Sequence, residues 1–129
     1  MADISLASQG YRNAMLATAS PRSIEGAALS RAAADLKAAS ARIGADHPGY
    51  IAALSRNLTL WTRFAADAGD SRNGLPIELR AAVIRLAAFV RNQTLRLQRG
   101  EPAEIEVLLE INKNVAAGLR TSARARGDE

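Results

Sequence analysis

The side chains with the most acid–base capacity are four glutamates, Glu101, Glu104, Glu106 and Glu110, in a chain with one histidine and no cysteine. Paired carboxylates can act as general acid and base. Glutamates at a helix start also complement the helix dipole on a solvated face, and that role suits their spacing. His47 precedes Pro48 at a turn into a helix and has neither a thiol nor a second imidazole with which to build a zinc site. The absence of cysteine excludes thiolate nucleophiles, thiolate metal sites and disulfides. Neither G-x-x-x-x-G-K nor G-x-G-x-x-G spacing occurs, which removes the common glycine cradles for phosphate. The expectation is a protein that is not an enzyme and uses no cofactor or metal.

Arginine offers another chemistry, since 15 of the 17 basic residues are arginine. A guanidinium suits phosphate, so RNA binding is one function class to weigh. The net charge of +4 is modest, and residues 1–100 hold 13 basic and seven acidic groups without a dense patch. Aromatic residues on which unpaired bases would stack are scarce, so nucleic acid is not the expected partner. The longest uncharged runs are nine residues, Asn13 to Pro21 and His47 to Ser55, far short of the roughly 20 that span a bilayer. The start MADISLASQGYR lacks the basic and apolar blocks of a signal peptide. A cytoplasmic protein without membrane insertion is expected.

The elements are organised around residues 57–90, which hold the tryptophan and both phenylalanines. Leu54, Leu58, Trp61 and Ala65 recur at helical spacing and predict an inward stripe. Trp61 reads first as core, with an interface anchor as the alternative. Leu60 and Phe64 lie beside that stripe and are expected to be exposed. Gly69 is expected to end the helix in the left-handed conformation, with Asp70, Ser71, Asn73 and Gly74 forming the turn. Pro76 is expected at the first position of the next helix, and Leu75, forced out of the α region by that proline, can plug the bundle end.

Before this stretch, residues 5–19 show a weak helical pattern on Leu6, Tyr11, Met15 and Leu16. Ser20-Pro21 then opens a helix whose seam is Leu29, Ala32, Leu36, Ala39 and Ile43, running to Gly44. Asp46-His47-Pro48-Gly49 opens the third helix. The fourth runs from Pro76 to about Arg99 on Leu79, Val83, Leu86, Val90 and Leu97. It carries a second apolar line, Ile84, Ala88 and Leu95, sharing its side with Arg85, Arg91 and Arg96. Such a helix either sits in the middle of a bundle or offers that face to a partner. Gly100-Glu101-Pro102 is a stop followed by a start. The fifth helix begins at Glu101 and has the seam Ile105, Leu108, Asn112, Val115 and Leu119. A polar Asn112 in that seam is either bonded to a neighbouring helix or backbone, or touches a ligand. Residues 121–129 have no apolar period and are expected to be a disordered tail. The fold class is all-α, a single bundle of four to five helices over residues 1–120.

Asn57, Trp61, Phe64, Asp67, then Asn73-Gly74-Leu75-Pro76, Leu79-Arg80-Ala81, Leu86, Phe89-Val90 and Thr94 stand at a spacing that resembles the bacterial flagellar biosynthesis regulator FlaF family. Gly100, Glu110-Ile111-Asn112 and Gly118-Leu119 continue the likeness. Departures are Lys113, where an arginine is expected, and the charge of Arg85 in a run the family keeps uncharged. The resemblance implies a protein needed for flagellin production and filament assembly that acts on flagellin in the cytoplasm, opposite a companion regulator, FlbT. On that footing the chain is expected to be a secretion chaperone that takes a terminal helical segment of flagellin. The expected surface is Leu60, Phe64, Ile84, Ala88, Arg91 and Leu95. The alternative is an RNA-binding post-transcriptional regulator of flagellin messenger.

Overall fold

The computed structural model describes residues 21–125. They form four helices: α1 Pro21–Ser40, α2 His47–Gly69, α3 Ile77–Gln98 and α4 Ile105–Ala125. Among the described residues there is no strand, and the expected all-α bundle is what forms. The helix expected over residues 5–19 lies outside the described residues.

Caps and turns decide where each helix starts and stops. α1 stops at Ser40 instead of reaching Gly44. The Ser40 hydroxyl donates to the Lys37 carbonyl at 2.9 Å, and the next residues close tighter turns, Arg42 N to Ala39 O at 3.1 Å and Ala45 N to Arg42 O at 3.0 Å. Ile43 leaves the seam and is exposed. The Asp46 carboxylate caps α2 by accepting from Gly49 N at 2.9 Å. A Cβ on Gly49 would overlap that carboxylate, which is why glycine stands there.

The α2–α3 turn is built differently from expectation. Gly69 stays within α2, and the chain leaves through Asp70 in extended conformation. The left-handed residue is Gly74, with φ 84°. Asp70 accepts from Arg72 N at 2.9 Å, and Asn73 Oδ1 accepts from Leu75 N at 3.1 Å. Two side chains that mimic backbone turns thus place the reversal later than Gly69. The Arg72 guanidinium also holds the Asp70 carboxyl below its usual range. Arg80 Nε donates to the Ala68 carbonyl at 2.7 Å, a group left open by the end of α2. Pro76 is the cap residue and the helix begins one position later, at Ile77. Leu75 is buried at the bundle end as expected.

α3 closes with paired bonds, Gly100 N to Leu97 O at 3.1 Å and Glu101 N to Arg96 O at 2.9 Å, around Gly100 at φ 73°. Glu101 therefore lies outside α4. Its carboxylate meets Arg99 at 3.4 Å and Arg96 at 3.8 Å. α4 continues to Ala125, so residues 121–125 of the expected disordered tail are helical. Thr121 Oγ1 donates to the Ala117 carbonyl at 3.0 Å. Alanine and arginine propagate the helix past Leu119, the last core residue, without needing an apolar period.

Successive helices run antiparallel. Arg56 of α2 grips Asp35 of α1 with two bonds of 3.1 Å. Gln98 of α3 donates to Ser55 of α2 at 2.9 Å, and Arg120 of α4 reaches Ser30 of α1 at 3.4 Å. α1 packs most closely on α4 and α2 on α3, while α3 and α4 share a smaller contact. The close α1–α4 approach uses small residues. Gly26 is buried, and a Cβ there would stand 3.4 Å from the Ala116 carbonyl. The core is Leu29, Leu36, Leu54, Trp61, Phe64, Val83, Val90, Leu108 and Leu119, with smaller side chains between them.

The two glycines give opposite expectations. Gly100→Ala forces a side chain into the left-handed region and should cost about 1–2 kcal/mol. Gly69→Ala enters a helix with open space beside it and should be neutral or stabilise by up to about 1 kcal/mol. Urea unfolding of each variant measures both. Equal losses would contradict this assignment of the left-handed residue.

Candidate functional site

The bundle centre holds three buried polar side chains, Asn57, Thr94 and Asn112. Trp61 Nε1 donates to Asn112 Oδ1 at 2.9 Å. Asn112 Nδ2 donates to Asn57 Oδ1 at 2.8 Å and to the Leu29 carbonyl at 3.1 Å. These directions are forced. An indole N–H only donates, so Asn112 must present oxygen to it, and its amide nitrogen must then face an acceptor on each remaining side. The Asn112 amide thereby joins α1, α2 and α4 through one group. For Asn112, bonding to neighbouring helices and backbone is the reading that holds, and Trp61 is core. Its ring is fully buried and packs on Phe64 with centroids 5.8 Å apart.

The remaining motif residues serve geometry. Asn73, Leu75, Pro76 and Arg80 build the turn and cap described above. The Asp67 carbonyl accepts from Asp70 N at 3.1 Å, and its carboxylate is on the surface. The glutamates do not converge on one cleft. Glu101 is in ion pairs, while Glu106 and Glu110 line an open groove of about 410 Å³ beside Lys37 and Lys113. Burial pushes the Tyr50 phenol up, and Glu106 adds to that. Among the described residues, no group of histidine, aspartate and glutamate is arranged to hold a metal, and no helix is long and apolar enough to cross a membrane.

The six residues expected to form one partner surface divide between two places. Phe64 is only 4% exposed, and Leu60 is half-buried. Both line a groove of about 180 Å³ with Ile24, Ala28 and Leu29 on the α1 side of α2. The physical reason is Asn57. Its Oδ1 accepts from Asn112 in the core, and the buried face of α2 is Tyr50, Ala53, Leu54, Asn57, Trp61, Phe64 and Ala68, with Leu58 and Ala65 half-buried at its edge and Leu58 still packed on the core. Ile84, Ala88 and Arg91 are on the outer side of α3, with Leu95 half-buried at the end of the line.

Exposed apolar side chains on α3 go beyond the expected line, with Phe89 on a different side of the helix from Ile77 and Ile84. Ile84 is 46% exposed, Ile77 72% and Phe89 42%. Ile77 stands seven residues before Ile84, two helical turns on the same line, so its spacing could have revealed it. Phe89 had no such signal, because a lone phenylalanine next to core Val90 reads as core. Arg85 and Arg91 are exposed and form no ion pair with any described residue.

The buried network is testable apart from any partner. Asn112→Leu leaves the Trp61 N–H and the Asn57 Oδ1 without their partner in the core and should cost about 2–4 kcal/mol. Trp61→Phe on that background should cost less than on the wild type, because the indole donor has already lost its acceptor. Additive losses in denaturant unfolding would mean that the bond does not contribute.

The family model for flagellar protein FlaF matches residues 7–119, a span that includes all four helix starts and every member of the Asn57, Trp61, Asn112 network. No curated protein and no solved structure gives a match. With most of its length matched, this chain belongs to the FlaF family of flagellar proteins.

Proposed function

We propose that this protein binds flagellin in the cytoplasm through the outer face of α3 and holds it as a secretion chaperone, promoting flagellin synthesis, export and filament assembly. On this reading it acts by binding and catalyses no reaction, and its link to a FlbT-type regulator is functional. Family membership supports the flagellar setting. The observation that carries the binding mode is the exposed line Ile77, Ile84 and Ala88 on a helix whose inward face, Val83, Val90 and Thr94, is already core. A helix that satisfies the bundle with one face and still presents large apolar side chains on the other has the form of a helix-docking surface. Flagellin before assembly has coiled-coil-forming terminal segments to cover, and an apolar seam is their complement. Each large side chain fully covered would contribute up to about 1.5–3 kcal/mol.

Co-expression with flagellin should give a soluble complex, and flagellin lacking a terminal helical segment should fail to join it. Ile84→Asp should abolish the complex while leaving the melting curve nearly unchanged, since a charge on an open surface costs the free protein less than about 0.5 kcal/mol but cannot be desolvated in the complex. Leu95→Asp is a weaker probe, because a half-buried position also taxes the fold. Nanomolar binding to flagellin messenger that collapses with added salt would instead support an RNA-binding regulator. A stable protein that never captures flagellin would end the chaperone reading.

A further inference from the structure

We propose that the segment seated on α3 is an amphipathic helix whose apolar seam is bordered by carboxylates, lying along the full length of α3; this rests on the binding reading above and identifies the chemistry of its partner. The shape comes first. From Ile77 to Leu95 the outward line covers 18 residue steps, and at 1.5 Å per residue that is about 27 Å, the length of five helical turns. At about 100° per residue Ile77, Ala81, Ile84, Ala88 and Leu95 fall within a narrow sector, with Arg91 on one border and Arg85 and Arg96 on the other. A ridge that is long, one side chain wide and charged along both edges suits a helix alongside it better than a compact pocket-filling group.

The charge then selects the partner. Residues 77–99 contain five arginines and one glutamate, Glu78. Arg80 is engaged with the Ala68 carbonyl, and Arg96 and Arg99 share Glu101. Among the described residues Arg85 and Arg91 have no carboxylate partner, so the two guanidinium groups nearest Ile84 and Ala88 are the ones we assign to a partner. Apolar cover alone would leave like charges pressed together at the rim, whereas glutamate or aspartate at the flanks of the incoming seam relieves that repulsion and sets its register. A second copy of this chain is disfavoured by the same reasoning, because its α3 would bring arginine against arginine. An anionic lipid surface would match the charge, but a single line of apolar side chains on a helix held in a bundle offers little to insert.

The test uses the full chain and two labelled peptides of about 25 residues, long enough to cover α3. They share one leucine–alanine seam and differ only in glutamate or lysine at its borders. Fluorescence anisotropy should show the glutamate-bordered peptide binding about tenfold more tightly at low ionic strength, with the advantage shrinking as salt is added. The double variant Arg85→Glu with Arg91→Glu should invert the preference, and Ile84→Asp should lose both peptides. Equal affinities, or a preference that survives the double variant, would overturn the proposal. So would binding to phosphatidylcholine–phosphatidylglycerol vesicles without peptide binding, or a dimer in sedimentation that Ile84→Asp dissolves. If the peptides behave as expected and flagellin still does not bind, the α3 surface stands and the flagellin assignment falls. If flagellin binds and the peptides show no preference, only the carboxylate-bordered partner is wrong.

Discussion

The bundle depends on one amide. Asn112 accepts from Trp61 and donates to Asn57 and to the Leu29 carbonyl, so a single side chain on α4 fixes its position against α1 and α2 at once. Apolar packing alone tolerates small rotations and slides, because any well-filled arrangement of similar volume has similar energy. A buried hydrogen-bonded group tolerates neither. Moving α4 by one turn would leave the Trp61 N–H, the Asn112 amide and the Asn57 Oδ1 acceptor partnerless in a dry interior, a penalty of about 1–3 kcal/mol for each. The network thus acts as a register pin in a molecule whose α1 sets only Leu29 and Leu36 as large buried side chains among alanines.

The same economy governs the ends of the helices. Asp46, Asp70 and Asn73 each spend a side-chain oxygen on a nearby backbone N–H, and Arg80 spends a guanidinium N–H on the last turn of α2. These bonds set the lengths of α2 and α3 and hence which part of α3 overhangs the core. α3 and α4 share only a small contact, which leaves much of α3 uncovered by the other described helices. Exposed Ile77, Ile84 and Phe89 follow from that arrangement. Inward-facing polarity and outward-facing hydrophobicity are inversions of the usual pattern, and here the first pins α4 against α1 and α2.

The four described helices, their order, the seam of α4 and most of that of α1 were legible from residue spacing, because a 3.6-residue period on leucine, valine and alanine has one physical reading in a chain without β pattern or cysteine. The absence of thiol chemistry was equally plain from composition. What spacing could not convey was which polar residues would be buried, since an asparagine becomes a core residue only when a partner from another helix reaches it. Asn57 and Asn112 are 55 positions apart, and Phe64 lies in the core on the same face as that pair instead of on the surface where spacing alone put it. The left-handed glycine likewise moved from Gly69 to Gly74, because Asp70 and Asn73 supplied turns that no local propensity ranks against a glycine cap. Periodicity is a property of one helix, and it sufficed for the elements. Facing and exposure are properties of a pair of helices, and they were settled only when the four packed.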